Sequence, residues 1–212
     1  MHIPDGFLNV ATVATTYAVS AGGIGNAVRI ANKKLGEKQV PLMGVLAAFI
    51  FAAQMLNFPI AGGTSGHLIG AALAAILLGP WAAVLIMSCV LIAQCLIFQD
   101  GGLLALGANI FNMGIVASFS GYYLYRLATS LLGDNKKSKL IGGFLGAWGS
   151  VFLASIFCAV ELAVSGTSPI GVVLPAMAGL HALIGIGEGL ITGAVLSLVL
   201  ATRADLLQLQ RI

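Results

Sequence analysis

The side chains able to do metal chemistry in this 212-residue chain are few, and the densest group opens it: Met1-His2-Ile3-Pro4-Asp5-Gly6-Phe7. A histidine in second place sets three nitrogens around one point: the Met1 α-amine, the His2 backbone amide and the His2 imidazole. They can close two fused chelate rings on a divalent ion, and chelation ends there because Pro4 has no amide proton to give up. A planar set of nitrogens suits Ni(II) or Cu(II), whereas tetrahedral sulfur and nitrogen suits zinc. Copper binds such nitrogens tightest in the divalent series. The bland reading is a histidine that happens to follow a start codon. A fourth nitrogen has to come from elsewhere, and the chain has two other histidines, His67 and His181.

His67 follows a turn-rich stretch, Phe58-Pro59-Ile60-Ala61-Gly62-Gly63-Thr64-Ser65-Gly66, that delivers it at or near the start of a helix. His181 lies inside a long apolar run with Glu188 seven residues on, so both fall on roughly one stripe of a helix. An ionisable residue inside a membrane span points to function, here a transport or coupling role. The alternative is that each bonds to a neighbouring helix. His67 is the better fourth ligand, because a loop can carry it to the N-terminus without sinking a metal charge deep into a bilayer.

These residues must be positioned by membrane helices. The chain is 59% hydrophobic and 8% charged, its mean hydropathy is +1.03, and apolar runs recur from Leu8 to Leu200. It reads as an all-α, polytopic membrane bundle. The 28 glycines fit closely packed membrane helices. A net charge of +3, clustered near helix ends, gives no footprint for nucleic acid. Cys89, Cys95 and Cys158 lie in apolar runs without CxxC spacing and read as small buried residues. No basic segment precedes the first apolar run, so that run is expected to be a retained helix and not a cleaved leader.

About seven spans are expected, over residues 8–30, 41–57, 67–78, 81–98, 103–127, 140–164 and 172–201. If they alternate, one side of the membrane receives Arg29, Lys33, Lys34, Lys38, Arg126, Lys136, Lys137, Lys139, Arg203 and Arg211, which are all ten basic residues. Cytoplasmic loops carry the excess of Lys and Arg, so the N-terminus is expected outside and the C-terminus in the cytoplasm. The same alternation puts His67 on the N-terminal side. Small residues recur every fourth position at Ala14, Ala18 and Gly22, at Gly66, Gly70 and Ala74, at Gly142, Gly146, Ser150 and Ala154, and at Gly185, Gly189, Gly193 and Ser197. Such stripes either pack the bundle internally or offer a sliding surface to a membrane partner.

No phosphate-binding loop, H-E-x-x-H or nucleophile elbow is present, and Glu161 and Glu188 are the only acids within spans. This is the pattern of a capture protein, not of an enzyme, and it lacks an engine of its own.

Met1-His2-Ile3-Pro4-Asp5-Gly6-Phe7-Leu8, Gly62-Gly63-Thr64-Ser65-Gly66-His67 and the run from Gly179 to Glu188 together resemble the CbiM/NikM family. That family comprises the substrate-specific S components of energy-coupling-factor transporters for nickel and cobalt. The resemblance covers essentially the whole chain. It implies one transmembrane domain, 1–212, made of a metal-chelating tip (1–7), an extra first helix (8–30) and a six-helix core (41–203). It implies Ni(II), or alternatively Co(II), as transported substrate, with no organic cofactor, held by Met1, His2 and His67. The Pro4-Asp5 variant is closer to the nickel branch. Implied partners are a transmembrane T component, two ABC-type ATPase subunits and a small NikN/CbiN-like membrane protein that is not fused here. The setting is a bacterial or archaeal cell (inner) membrane. By position, Asn57, Thr64 and Ser65 are expected to steady the His67 ring, and Asp5 to attract the cation. The rival reading is a self-sufficient secondary permease for divalent metals.

Overall fold

The computed structural model describes residues 1–36 and 39–208. Among them, seven helices of eight residues or more follow one another: α1 (Val10–Lys34), α2 (Gln39–Gln54), α3 (Ala71–Leu78), α4 (Pro80–Phe98), α5 (106–132), α6 (Lys136–Val164) and α7 (Ile170–Thr202). Helix α5 is composite, with a π-helical stretch Ile110–Val116 between Leu106–Asn109 and Ala117–Leu132. Between α2 and α3, Phe58–Pro59 (β1) pairs antiparallel with Ser65–Gly66 (β2), Phe58 opposite Gly66. A 3₁₀ turn, Ala204–Gln208, follows α7.

The local chemistry explains the boundaries. Asn9 starts α1 by accepting the Thr12 amide, and its own side-chain amide ties that end to the Val164 carbonyl. Asn135 and Ser138 close a reciprocal capping box at the head of α6. Gly79 interrupts the apolar run so that Pro80 can begin α4 at the one position where a missing N–H costs nothing.

Three helices, α4, α6 and α7, are long and apolar enough to cross a membrane, and α2 is apolar but shorter. The expected third span needs correction. Its helix is only Ala71–Leu78, eight residues or about 12 Å, too short to cross a bilayer alone. Residues 67–70 are not helical and reach inward as loop. Every residue of α3 is buried, so the short helix is walled by protein on all sides. Other bounds shift too: α1 runs on through Lys33 and Lys34, α5 to Leu132, and α6 begins at Lys136, while α2 stops at Gln54, short of the expected 57.

Two of the small-residue stripes bring backbones together. A methyl at Gly146 would stand 2.6 Å from the Gly121 carbonyl of α5, and one at Gly189 would stand 2.6 Å from the Phe144 ring of α6. The stripe Ala14, Ala18 and Gly22 instead lies on the exposed face of α1. Cys95 and Cys158 are buried as expected, while Cys89 lies on an exposed face, and all three are free thiols. Both intramembrane acids are engaged: Glu161 accepts the Asn112 amide from the π stretch at 2.6 Å, and Glu188 holds the backbone ahead of α3.

At one pole, beside the head of α6, a cavity of about 520 Å³ is lined by Arg126, Lys139 and Leu207 among others, and Lys139 pairs with Asp134 at 2.8 Å. The start of α1 lies at the opposite pole, against the turn between α6 and α7, where Thr167 donates to the Phe7 carbonyl and Ser165 to Thr12. Lys38 and Arg211 lie outside the described residues.

Candidate metal centre

The chain start is clamped by its own side chains and by the turn between α4 and α5. Met1 and Ile3 are fully buried in the apolar core, and burial of side chains this size is worth about 1.5–3 kcal/mol each. The Ile3 amide donates to Asn109 Oδ1 at 2.8 Å, and Asn109 Nδ2 donates back to the Ile3 carbonyl at 3.1 Å, as a neighbouring strand would. The Gly102 amide reaches the same carbonyl at 2.9 Å. No side chain fits there: a methyl at Gly102 would fall 2.3 Å from the Asp5 amide nitrogen, and Gly101, at φ +91°, lies under the His2 ring. The Asp5 carboxylate gathers the amides of Leu103, Leu104 and Ala105 at 3.1, 2.7 and 3.3 Å.

The loop between α2 and α3 brings the second arm. Ser65 Oγ receives both the Met1 amine, at 3.0 Å, and the His2 amide, at 3.1 Å, so two of the three candidate chelating nitrogens aim at one atom. The His67 ring lies against the His2 ring, centroids 4.5 Å apart and planes 20° from parallel. His67 Nδ1 is 2.6 Å from the Leu68 carbonyl. A carbonyl only accepts, so Nδ1 carries the hydrogen, and the buried Nε2, which has no hydrogen-bond partner, keeps its lone pair. His2 Nε2 faces Gln94 Oε1 at 3.0 Å, and with the hydrogen on Nε2, Nδ1 keeps its lone pair. Two residues past His67, the Ile69 and Gly70 amides end on Glu188 at 2.7 and 2.5 Å, so a carboxylate from α7 anchors this arm.

Burial keeps these bases neutral. Loss of water pushes the Met1 amine down to about 5, against the smaller pull of Cys158 and Asp100. Burial, and then the nearby amine, push His2 down to about 3. Asp100 moves up through partial burial, opposed by the amine and by its bond from Asn57. Uncharged nitrogens with free lone pairs are the form that ligates a metal.

The structure thus brings Met1, His2 and His67 into one buried cluster and adds Ser65 to it. None of Asn57, Thr64 and Ser65 bonds the His67 ring, contrary to the expectation: Asn57 holds Asp100 at 2.9 Å, and Thr64 touches the sulfurs of Cys158 and Met177 at 3.9 Å. Asp5 is taken up by three backbone amides. His181 bonds its own helix at Met177, and its buried Nε2 has no hydrogen-bond partner. Among the described residues no three His, Cys, Asp or Glu side chains form a metal cluster. That fits a donor set that draws on an amine and a backbone amide. Sequence reasoning missed Gln94, Asp100 and Asn109. Gln94 and Asn109 carried a signal, a polar amide inside an apolar run, which is costly unless used.

An apolar helical bundle with nitrogen donors buried at one pole belongs with membrane proteins that handle metal ions, and the structural likeness agrees. A crystal structure of a truncated transition metal transporter superposes with a TM-score of 0.87 at 40% identity, over 95% of this chain and 99% of that one. The family model CbiM, cobalt uptake substrate-specific transmembrane region, matches residues 2–206, and the chain belongs to this family. An Archaeoglobus fulgidus protein provisionally named a fused nickel transport protein, NikMN, is 44% identical over 98% of this chain and 68% of its own length. A cobalt transport protein, CbiM, of Thermosediminibacter oceani is 33% identical over 94% of this chain and 84% of its own.

Proposed function

We propose that this chain is the substrate-binding membrane component of an ATP-driven importer of the energy-coupling-factor type, and that it captures Ni(II). The observation that carries this is the convergence of the Met1 amine, the His2 amide and ring, and the His67 ring in one buried cluster. Four nitrogens, one of them an amide that can lose its proton, suit a small dication that favours planar coordination. Binding requires the amine and amide to turn from Ser65 Oγ to the ion. The nickel-named relative favours Ni(II), and the cobalt-named relative keeps Co(II) as the second reading.

In this reading residues 1–7 are the chelating tip, 8–30 the added helix and 41–203 the six-helix core of one domain. The chain crosses a bacterial or archaeal cell (inner) membrane seven times, its N-terminus outside and its C-terminus in the cytoplasm. Arg126 and Lys139 at the head of α6, and the alternation that puts the other basic residues in loops of the same side, support that orientation. The third crossing is made by the loop ahead of α3 together with α3 itself. Non-helical backbone is tolerated at that depth because it is enclosed by protein and its amides are satisfied by Glu188. The relatives are transport proteins, and ATP hydrolysis falls to partners: a T component, two ABC-type ATPases and a small NikN/CbiN-like membrane protein.

The test is Ni(II) content and affinity of the purified protein beside a version extended by one residue before Met1. The extension moves the amine away and leaves both imidazoles in place, so loss of high-affinity nickel binding is expected. Equal binding by the two would overturn the amino-terminal site.

A further inference from the structure

A dication bound by four buried nitrogens brings two positive charges into a place that water does not reach, and a deprotonated His2 amide cancels one of them. The second needs an anion, and the structure supplies one that the nitrogen set does not include. Asp100 Oδ1 lies 3.3 Å from His2 Nδ1, outside hydrogen-bond geometry, since Nδ1 has no hydrogen-bond partner. When Nδ1 gives its lone pair to the ion, this carboxylate oxygen is the negative charge beside the ligand atom, and a cation held there is attracted by both.

The surroundings fit this role. Asn57 Nδ2 holds the other oxygen, Oδ2, at 2.9 Å, which fixes the carboxylate while leaving Oδ1 directed at His2. The Asp100 side chain is 17% exposed, against 3% for His2, so the carboxylate stands between solvent and the nitrogens. Asp5, the other acid near the tip, has its oxygens committed to three amides. Glu188 is committed to the α3 arm, and Glu161 holds Asn112 through one oxygen, away from the His2 ring.

Resting on the reading of the cluster as a nitrogen site, we propose that Asp100 is the anionic partner of the transported dication. It receives the hydrated ion at the exposed side of the cluster, and then stays beside His2 Nδ1 as the negative charge that makes the bound complex neutral. A carboxylate is a hard donor that suits hydrated dications on arrival, whereas imidazole and amine nitrogens suit Ni(II) once water is shed.

The experiment is stopped-flow and equilibrium binding of Ni(II) to the purified full-length protein and to Asp100→Asn and Asp100→Glu, over a series of ionic strengths. Asp100→Asn keeps the size and loses the charge. Its affinity is expected to fall about 10- to 100-fold, and its association rate to lose most of the salt dependence seen in the native protein. Asp100→Glu is expected to recover the salt dependence. An Asp100→Asn protein that binds nickel within twofold of native, with the same salt slope, overturns the assignment while leaving the nitrogen site standing. A native protein that binds no nickel overturns the nitrogen site, and this proposal with it. If Asp100→Asn does not fold, the native salt series decides, because an association rate indifferent to ionic strength leaves no capturing charge.

Discussion

Asn109 is the residue on which the chain start hangs, and its removal gives the sharpest test of the centre. It makes two buried hydrogen bonds to the backbone of Ile3, at 2.8 and 3.1 Å. In Asn109→Ala the Ile3 carbonyl keeps the Gly102 amide, but the Ile3 amide, in a place water does not reach, is left without an acceptor. A lost hydrogen bond of this kind costs about 0.5–1.5 kcal/mol net, and an orphaned buried donor about 1–3 kcal/mol. Together these put the docked tip about 1.5–4.5 kcal/mol higher. At about 1.4 kcal/mol per decade, nickel affinity should fall about 10- to 1,000-fold. Asn109→Asp retains the acceptor for the Ile3 amide and should lose less. The measurement is equilibrium nickel binding to purified protein, with the melting temperature of the bundle as control. Binding by Asn109→Ala within twofold of native, from a protein that melts normally, would refute the claim that this side chain sets the position of the amine.

Glu188→Ala leaves the Ile69 and Gly70 amides unsatisfied inside the bundle and should lower stability by about 2–5 kcal/mol, with Glu188→Gln between. Thermal melting in detergent, with and without nickel, reads both the loss and whether nickel still restores the fold. pH dependence follows from the clamped bases. The docked amine lies at about 5 against 8.0 when free, and His2 at about 3 against 6.5. Protonation therefore favours the released tip. Docking is fully supported above pH 8, weakens through the amine as pH falls toward 5, and weakens further through the His2 ring below 6.5. Nickel affinity should drop by up to about tenfold per pH unit over the upper range and more steeply below it. A profile that is flat from pH 8 to 5.5 in a binding titration would contradict the clamp.

What the sequence disclosed was chemistry carried by neighbours. Met1 and His2 are adjacent, so their chelating pattern is written in consecutive letters, and the lopsided distribution of Lys and Arg separates the poles without any geometry. His67 could be ranked above His181 because a loop position needs no knowledge of packing. Asp100 and Asn109 act on the tip across about a hundred residues, and no local pattern joins them to it. The length of α3 was hidden for a different reason. All of Ala71–Leu78 is buried, so no alternation of polar and apolar faces marks where the helix begins, and the start is set instead by Gly70 at φ +80° and by a carboxylate from α7. Glu188 was expected either to serve transport or to bond a neighbouring helix, whereas its partners are the backbone amides ahead of α3, which no letter of the sequence reveals.

The two halves of the donor set have different owners. Gln94 and Asn109 fasten the chain start with its histidine to α4 and α5, while the second histidine hangs from α7 by the tether at Ile69 and Gly70. A shift of α7 along its axis relative to that pair therefore drags one imidazole away from the other. Because the stitches described between the two sides at this level are few, Ser65 to the chain start and Asn57 to Asp100, such a slide parts the ligands without unfolding either support.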